Sequence, residues 1–194
     1  MKEEGYQPWL PASAIEWLDG FLEEGAYVLE YGSGGSTLFV AKRIGLSGRL
    51  DSVEHDAKWY GNIRCELQER FSERNIHYHF VPLLEHEYLR PIKEAPIHGA
   101  DLIIVDGRYR NAVFKEATSK VAPGGYILFD NFLREKYTES WRLVRRLGWT
   151  VELCLWTDDD NGKAPRYHWH CALIRVPKDE DTEEEAKTED PSHD

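Results

Sequence analysis

Hydrophobic and polar positions along this chain fall into blocks of two periods, one helical and one strand-like. Residues 11–22 place Ile15, Leu18 and Leu22 on one helical face, and Gly25 stops that helix. Residues 26–29 form a short apolar run of strand type, after which Leu38, Val40, Ala41 and Ile44 return to a helical period. A second strand ends at Glu54, and Asp56 is placed to cap a helix carrying Trp59, Ile63, Leu67 and Phe71. Residues 76–81 alternate as a third strand, closed by Pro82. The pattern is weak over 83–99, where it suggests one helix interrupted by Pro91 and Pro96. Asp101-Leu102-Ile103-Ile104-Val105-Asp106 is nearly continuous in apolar character, as a strand covered on both faces requires. A helix with Ala112, Val113, Ala117 and Val121 follows, and Pro123-Gly124-Gly125 turns into the strand Tyr126-Ile127-Leu128-Phe129. The next helix shows Leu133, Tyr137, Trp141, Val144 and Leu147 as one stripe. Two last strands, 150–156 and 168–176, are joined by the polar loop 158–166, so the final strand should run antiparallel.

Alternating strands and helices predict an α/β fold with a mostly parallel sheet between helical layers. The chain has 194 residues, 41% of them hydrophobic, enough for one domain over 1–176, with an arm and helix in 1–24. The formal charge of −11 is unevenly placed: from Lys178 onward nine acids face two lysines, without an aromatic residue. That composition predicts a disordered acidic tail over 177–194 and leaves about −4 on the body, which argues against a general nucleic-acid surface. No apolar run reaches membrane-spanning length and no signal peptide precedes Trp9. Cys65, Cys154 and Cys171 are odd in number and widely spaced, as in a reduced, cytoplasmic protein. The pairs His77/His79 and His168/His170 read as half-exposed strand residues rather than a zinc site.

The chemistry concentrates in Glu30-Tyr31-Gly32-Ser33-Gly34-Gly35-Ser36-Thr37, a strand end, a glycine turn and a helix start. The glycines let the backbone turn and leave the main chain bare for a ligand, and Ser36 and Thr37 suit a helix N-terminus. A dinucleotide fingerprint wants a third glycine where Thr37 stands, and a P-loop wants a lysine that is absent. What remains is an acid before the turn, Glu30, and a second acid, Glu54, at the end of the second strand, where a ribose diol is held in such folds. Asp106 and the pair Asp130-Asn131 end two further strands.

With those residues in place, E-x-G-x-G-G-S-T followed by V-E-H-D resembles the cofactor site of the class I S-adenosylmethionine-dependent methyltransferases. The resemblance covers about residues 25–176 and implies a Rossmann-like three-layer sandwich with strand order 3-2-1-4-5-7-6 and strand 7 antiparallel. It implies S-adenosylmethionine bound by Glu30, Gly32, Ser33, Gly34, Ser36, Glu54, His55 and Asp106, with Glu30 at the methionine end and the adenine near Pro82, Leu83, Leu84 and Glu85. Asp106, Asp130 and Asn131 match the ligands of the metal-dependent O-methyltransferases of the catechol O-methyltransferase type. That match implies Mg²⁺ or Ca²⁺ orienting a small-molecule or sugar-like hydroxyl. In that group a lysine base stands three residues after the Asp. Here that place holds Tyr109, so the resemblance assigns no base. Arg108 and Arg110 are candidate clamps for a substrate carboxylate or phosphate or members of structural ion pairs, and Tyr109 is a candidate orienting hydroxyl. Asp130 and Asn131 equally suit a helix cap. The arm Tyr6-Gln7-Pro8-Trp9-Leu10-Pro11 either roofs the pocket, as the resemblance implies, or packs on the core through Trp9 and Trp17. A nicotinamide-dependent oxidoreductase and a non-catalytic nucleoside-binding module are the alternative functions on the same fold.

Overall fold

Strand β1 (Tyr27–Tyr31) shows how the sheet is sealed. Its side chains alternate: Leu29 and Tyr31 enter one apolar cluster and Val28 the other, and all three are fully buried. The computed structural model describes residues 7–155 and 170–178. In them β1 is joined by β2 (Arg49–Glu54), β3 (Asn75–Phe80), β4 (Ala100–Val105), β5 (Val121–Asp130), β6 (Thr150–Leu155) and β7 (His170–Arg175) in one seven-stranded sheet. The order is β3-β2-β1-β4-β5-β7-β6, with β7 antiparallel to both of its neighbours and the other pairs parallel.

Helices α1 (Ala12–Phe21), α2 (Gly35–Arg43) and α3 (Ala57–Phe71) cover one face through Leu18, Val40 and Ile63. The short helices α4 (Glu85–Tyr88) and α5 (Arg90–Glu94), with α6 (Arg110–Ala117) and α7 (Thr138–Leu147), cover the other through Tyr88, Ile92, Phe114 and Val144. Leu102 and Ile104 face the first layer, Ile103 and Val105 the second, which explains the unbroken apolar run of β4. The carboxyl ends of the parallel strands therefore share one edge of the sheet, and that edge carries Glu54, Asp106 and Asp130. None of the helices among the described residues is long and apolar enough to cross a membrane.

Several boundaries depart from the sequence pattern. The 83–99 stretch holds two helices, α4 and α5, with Pro91 accommodated in the first turn of α5, where its missing N–H is no loss. Strand β5 begins at Val121, before the Pro-Gly-Gly turn expected to precede it. Val121 pairs with Ala100, the register then shifts, and a side chain at Gly125 would come within 2.8 Å of the Asp101 carbonyl. After β5 the chain passes through Asn131 in the left-handed region (φ 60°) and a 3-10 turn (Glu135–Tyr137), so α7 starts later than its stripe suggested. Trp17 stacks on Phe21 and meets Tyr126, whereas Trp9 is 71% exposed. His170 is buried rather than half-exposed, and its Nε2 accepts the Leu133 N–H. Cys154 and Cys171 are register partners on β6 and β7, both buried as free thiols. Tyr6, the 158–166 loop, His168 and the tail from 179 onward lie outside the described residues.

Two glycines separate conformation from packing. Gly148 ends α7 at φ +68° with open space around its Cα, and Gly61 sits in the middle of α3 with equally open space. Gly148→Ala should lower unfolding free energy by about 1 kcal/mol through left-handed strain. Gly61→Ala should raise it by roughly 0.5–1 kcal/mol through helix propensity. Urea unfolding of the two variants tests this, and shifts of the same sign would contradict it.

Candidate active site

The turns after β1 and β4 touch through their glycines. A Cβ on Gly32 would lie 2.6 Å from the Gly107 nitrogen and 2.8 Å from the Asp106 carbonyl carbon, and Gly32 has φ +93°. A Cβ on Gly107 would lie 3.0 Å from the Gly32 nitrogen and would collide with the Tyr88 hydroxyl. Backbone bonds Gly32 N–H to Val53 O (3.0 Å) and Asp106 N–H to Tyr31 O (2.8 Å) extend the sheet up to this contact. Glycine is needed at both places for close approach and, at Gly32, for conformation. A side chain on Gly35 would strike the main chain of Gln7, so the N-terminal arm crosses the start of α2.

Beneath the turn lies Glu30, with no exposed surface. Ser36 Oγ donates to its Oε1 (2.6 Å), and Thr37 Oγ1 and Ser52 Oγ both donate to Oε2 (2.6 Å each). Thr37 in turn accepts the Gly34 N–H at 2.8 Å. A continuous chain thus runs from the turn's main chain through Thr37 to Glu30. Burial raises the proton affinity of Glu30, and the three hydroxyls oppose that rise. Glu30 and Ser36, both expected at the cofactor site, are hydrogen-bonded to each other beneath the turn. Thr37, which breaks the dinucleotide pattern, is a working part of this clamp.

Glu54 closes the other side. It is 3% exposed and accepts from Ser33 N–H (3.1 Å), Ser33 Oγ (2.9 Å), His55 N–H (2.7 Å) and Asp56 N–H (2.8 Å). Ser33 also shares a 2.6 Å hydrogen bond with the Tyr78 hydroxyl, and its carbonyl accepts the Trp59 indole N–H at 2.6 Å. Tyr78, Trp59 and Ser52 were not legible as site residues. Each comes from a different element, and none has a distinctive spacing to the turn. His55 Nδ1 lies 2.9 Å from Glu54 Oε1 but off the line of a hydrogen bond, leaving a buried polar atom without a hydrogen-bond partner beside Glu54.

At the ends of β4 and β5 the proposed metal ligands meet a cation that belongs to the chain. Arg110 opens α6 and points its guanidinium between Asp106 and Asp130. Nη2 donates to Asp106 Oδ1 (2.7 Å) and to the Asp106 carbonyl, Nη1 to Asp130 Oδ2 (2.9 Å) and to the Asp130 carbonyl, and Nε to the Gly107 carbonyl (3.0 Å). All five N–H donors are used. Asn131 is buried and donates its amide to Asp130 Oδ2 (2.6 Å). Among the described residues no three His, Cys, Asp or Glu side chains are grouped to hold a metal ion. The residues therefore do not fit Mg²⁺ or Ca²⁺, because Arg110 stands where the ion was expected. For the same reason Arg110 has no donor left to clamp a substrate. Asp130 and Asn131 are not a helix cap either, since α7 starts seven residues beyond Asn131.

Asp106 is the accessible carboxylate of the cluster, with 37% of its side chain open against 14% for Asp130. Burial of its charge at the floor of the cleft, and then the Asp130 carboxylate, push its pKa well above the ordinary value, with Arg110 offsetting part of the rise. Tyr109 adopts the left-handed region (φ 47°) and points its hydroxyl toward the Leu83 carbonyl at 3.4 Å. Arg108 is exposed, and its Nε lies 3.4 Å from His55 Nε2.

Three solved structures are instructive. A methyltransferase-like protein from Silicibacter pomeroyi superposes with TM-score 0.60 at 18% identity, over 89% of this chain and 90% of that one. The O-methyltransferase from Bacillus cereus in complex with S-adenosylhomocysteine gives 0.66 at 18%, over 86% and 82%. Fibrillarin from Aeropyrum pernix, with natively bound S-adenosyl-L-methionine, gives 0.59 at 20%, over 84% and 74%. No family model and no curated protein matches the sequence. The shared fold is that of the class I S-adenosylmethionine-dependent methyltransferases.

Removing the built-in cation tests its role. Arg110→Ala leaves two carboxylates facing each other and should cost about 3–5 kcal/mol of stability. Millimolar Ca²⁺ should raise the melting temperature of this variant and leave that of the wild type unchanged. An equal Ca²⁺ response in both proteins would contradict the assignment.

Proposed function

We propose that this chain is an S-adenosylmethionine-dependent methyltransferase that methylates a hydroxyl of a small molecule. The observation that carries the reading is the bare glycine turn locked between Glu30 and Glu54 at the carboxyl edge of this sheet. A crevice at that edge, beside the first strand, is where open α/β sheets bind nucleosides. The donor set fits the cofactor: Glu54, whose Oε2 holds Ser33 here, would exchange the Ser33 hydroxyl for a ribose hydroxyl, and the unpartnered Nδ1 of His55 lies beside it. Gly32 and Gly34 would let a ligand rest against the main chain. The clamp fixes the turn before any ligand arrives, so little ordering is left for binding to supply. The nicotinamide alternative loses ground because Thr37 is committed to the clamp at the place of the third glycine.

When bound, S-adenosylmethionine supplies an electrophilic methyl carbon on a sulfonium. The protein's task is then to position an acceptor oxygen and remove its proton. Asp106 is suited to both, being accessible, raised in proton affinity and fixed in direction by Arg110. Arg110 supplies the local positive charge that a metal gives in other enzymes of this fold, and no step here runs through a metal. Tyr109 and Arg108, at the rim, would orient the acceptor.

A carboxyl group with a raised folded pKa binds its proton more tightly in the folded than in the unfolded chain. Its favourable contribution to stability is full below about pH 4 and is lost as pH rises through the folded value. Relative to Asp106→Asn, the wild type should therefore gain stability as pH falls from 7 to 4. With any accepted hydroxyl substrate, kcat/KM should rise from acid to neutral pH, and Asp106→Asn should remove that limb. A profile unchanged by the substitution would exclude Asp106 as the proton acceptor. Calorimetry with S-adenosylhomocysteine should give one site. Glu54→Gln, which keeps an oxygen for the His55 and Asp56 N–H groups, should weaken it about tenfold, as expected for loss of a charged hydrogen-bond acceptor. Unchanged affinity would remove Glu54 from the ribose site.

A further inference from the structure

A cavity of about 580 Å³ opens beside the strand ends, walled by Gly107 and Arg110 on one side and by the turn after β5 on the other. Its polar lining is strongly biased. Arg108, Lys115, Arg134 and Lys136 all contribute, all four are exposed, and none of them forms an ion pair among the described residues. Two acids, Glu85 and Glu139, also line it. Arg110 also lines the cavity, but its donors are spent on Asp106 and Asp130. Lys136 rests its ammonium over the Tyr137 ring at 4.9 Å, which places the charge without neutralising it. This concentration of cations runs against a chain whose formal charge is −11.

Arg108 links the cavity to the turn after β2. That side chain lines the cavity and reaches His55, next to Glu54. Asp106 precedes Gly107 in the chain and holds Arg110, both of which line the cavity. A molecule seated here with one group at Asp106 would have its remainder among four unpaired cations.

We infer that the acceptor is a small anion, bearing a carboxylate or phosphate group that Arg108, Lys115, Arg134 and Lys136 recognise while its hydroxyl lies at Asp106. This rests on the methyltransferase reading of the adjacent crevice. The volume suits a metabolite-sized ligand. Guanidinium and ammonium donors converging on one concave surface are the chemistry that binds such anions.

The test titrates inorganic phosphate, and separately acetate, into the full-length protein saturated with S-adenosylhomocysteine. Lys115→Glu/Lys136→Glu is the test variant and Lys93→Glu, on the exposed side of α5, the control. Saturable binding of either anion to the wild type is expected. It should weaken tenfold or more in the double variant and stay unchanged in the control, with S-adenosylhomocysteine affinity equal in all three proteins. Phosphate binding without acetate binding identifies a phosphorylated acceptor, and binding of both identifies a site that accepts either group. Anion binding that is absent, or equal in the wild type and the double variant, would overturn the inference while leaving the crevice reading intact. Displacement of phosphate by a mixed-sequence RNA 12-mer would overturn the small-molecule class. Failure of S-adenosylhomocysteine to bind the folded wild type would strike the methyltransferase reading itself, whatever phosphate does.

Discussion

A carboxylate sealed from water inside a sheet must be given hydrogen bonds, and the site depends on how Glu30 receives its own. Three hydroxyls converge on it from two elements, Ser36 and Thr37 from α2 and Ser52 from β2. An unpartnered buried charge costs several kcal/mol, so this convergence strongly restricts where the start of α2 can lie relative to β1 and β2. Thr37 passes the constraint on to the main chain of Gly34. Glu54 repeats the device from the neighbouring strand by holding Ser33. Between the two acids the turn has little freedom, and at its first glycine it meets the turn of β4 at van der Waals distance. Preorganised main chain is what a ligand-binding turn needs, and the hydrogen bonds of Glu30 and Glu54 supply it here.

The same economy appears at Asp106 and Asp130. Two acids at neighbouring strand ends repel and require a cation. The family resemblance implied a divalent ion from solution in this place. Here Arg110 carries the cation on the first residue of α6, four residues after Asp106, with every N–H satisfied by the carboxylates or the main chain of the two turns. The accessible carboxylate of the cluster is Asp106. The cationic wall provided by Arg108, Lys115, Arg134 and Lys136 lies just beyond.

Most of the architecture was legible because it rests on burial. β4 is covered on both faces and so reads as an apolar run, and acids that end apolar runs mark the sheet's functional edge. The strand order came with the family resemblance and holds in the structure. What was not legible depends on local geometry that periodicity does not encode. The 131–134 turn delays α7 because Asn131 takes a left-handed conformation and His170 accepts the Leu133 N–H. The sequence places Glu30 before the turn but does not show that the hydroxyls of Ser36, Thr37 and Ser52 meet on it. Asp106 and Arg110 stand four apart, a spacing that pairs on a helix, yet the same residues read as a metal ligand and a substrate clamp until α6 was seen to begin at Arg110 itself.

If the turn between Glu30 and Glu54 is a nucleoside site, amide NMR will register the ligand there. Saturating S-adenosylhomocysteine should move the amide resonances of Gly32, Ser33 and Gly34 and of His55 and Asp56, while those of β6 at the far edge of the sheet stay in place. A folded protein in which these turn resonances do not respond, or in which the shifts gather elsewhere, would contradict the account.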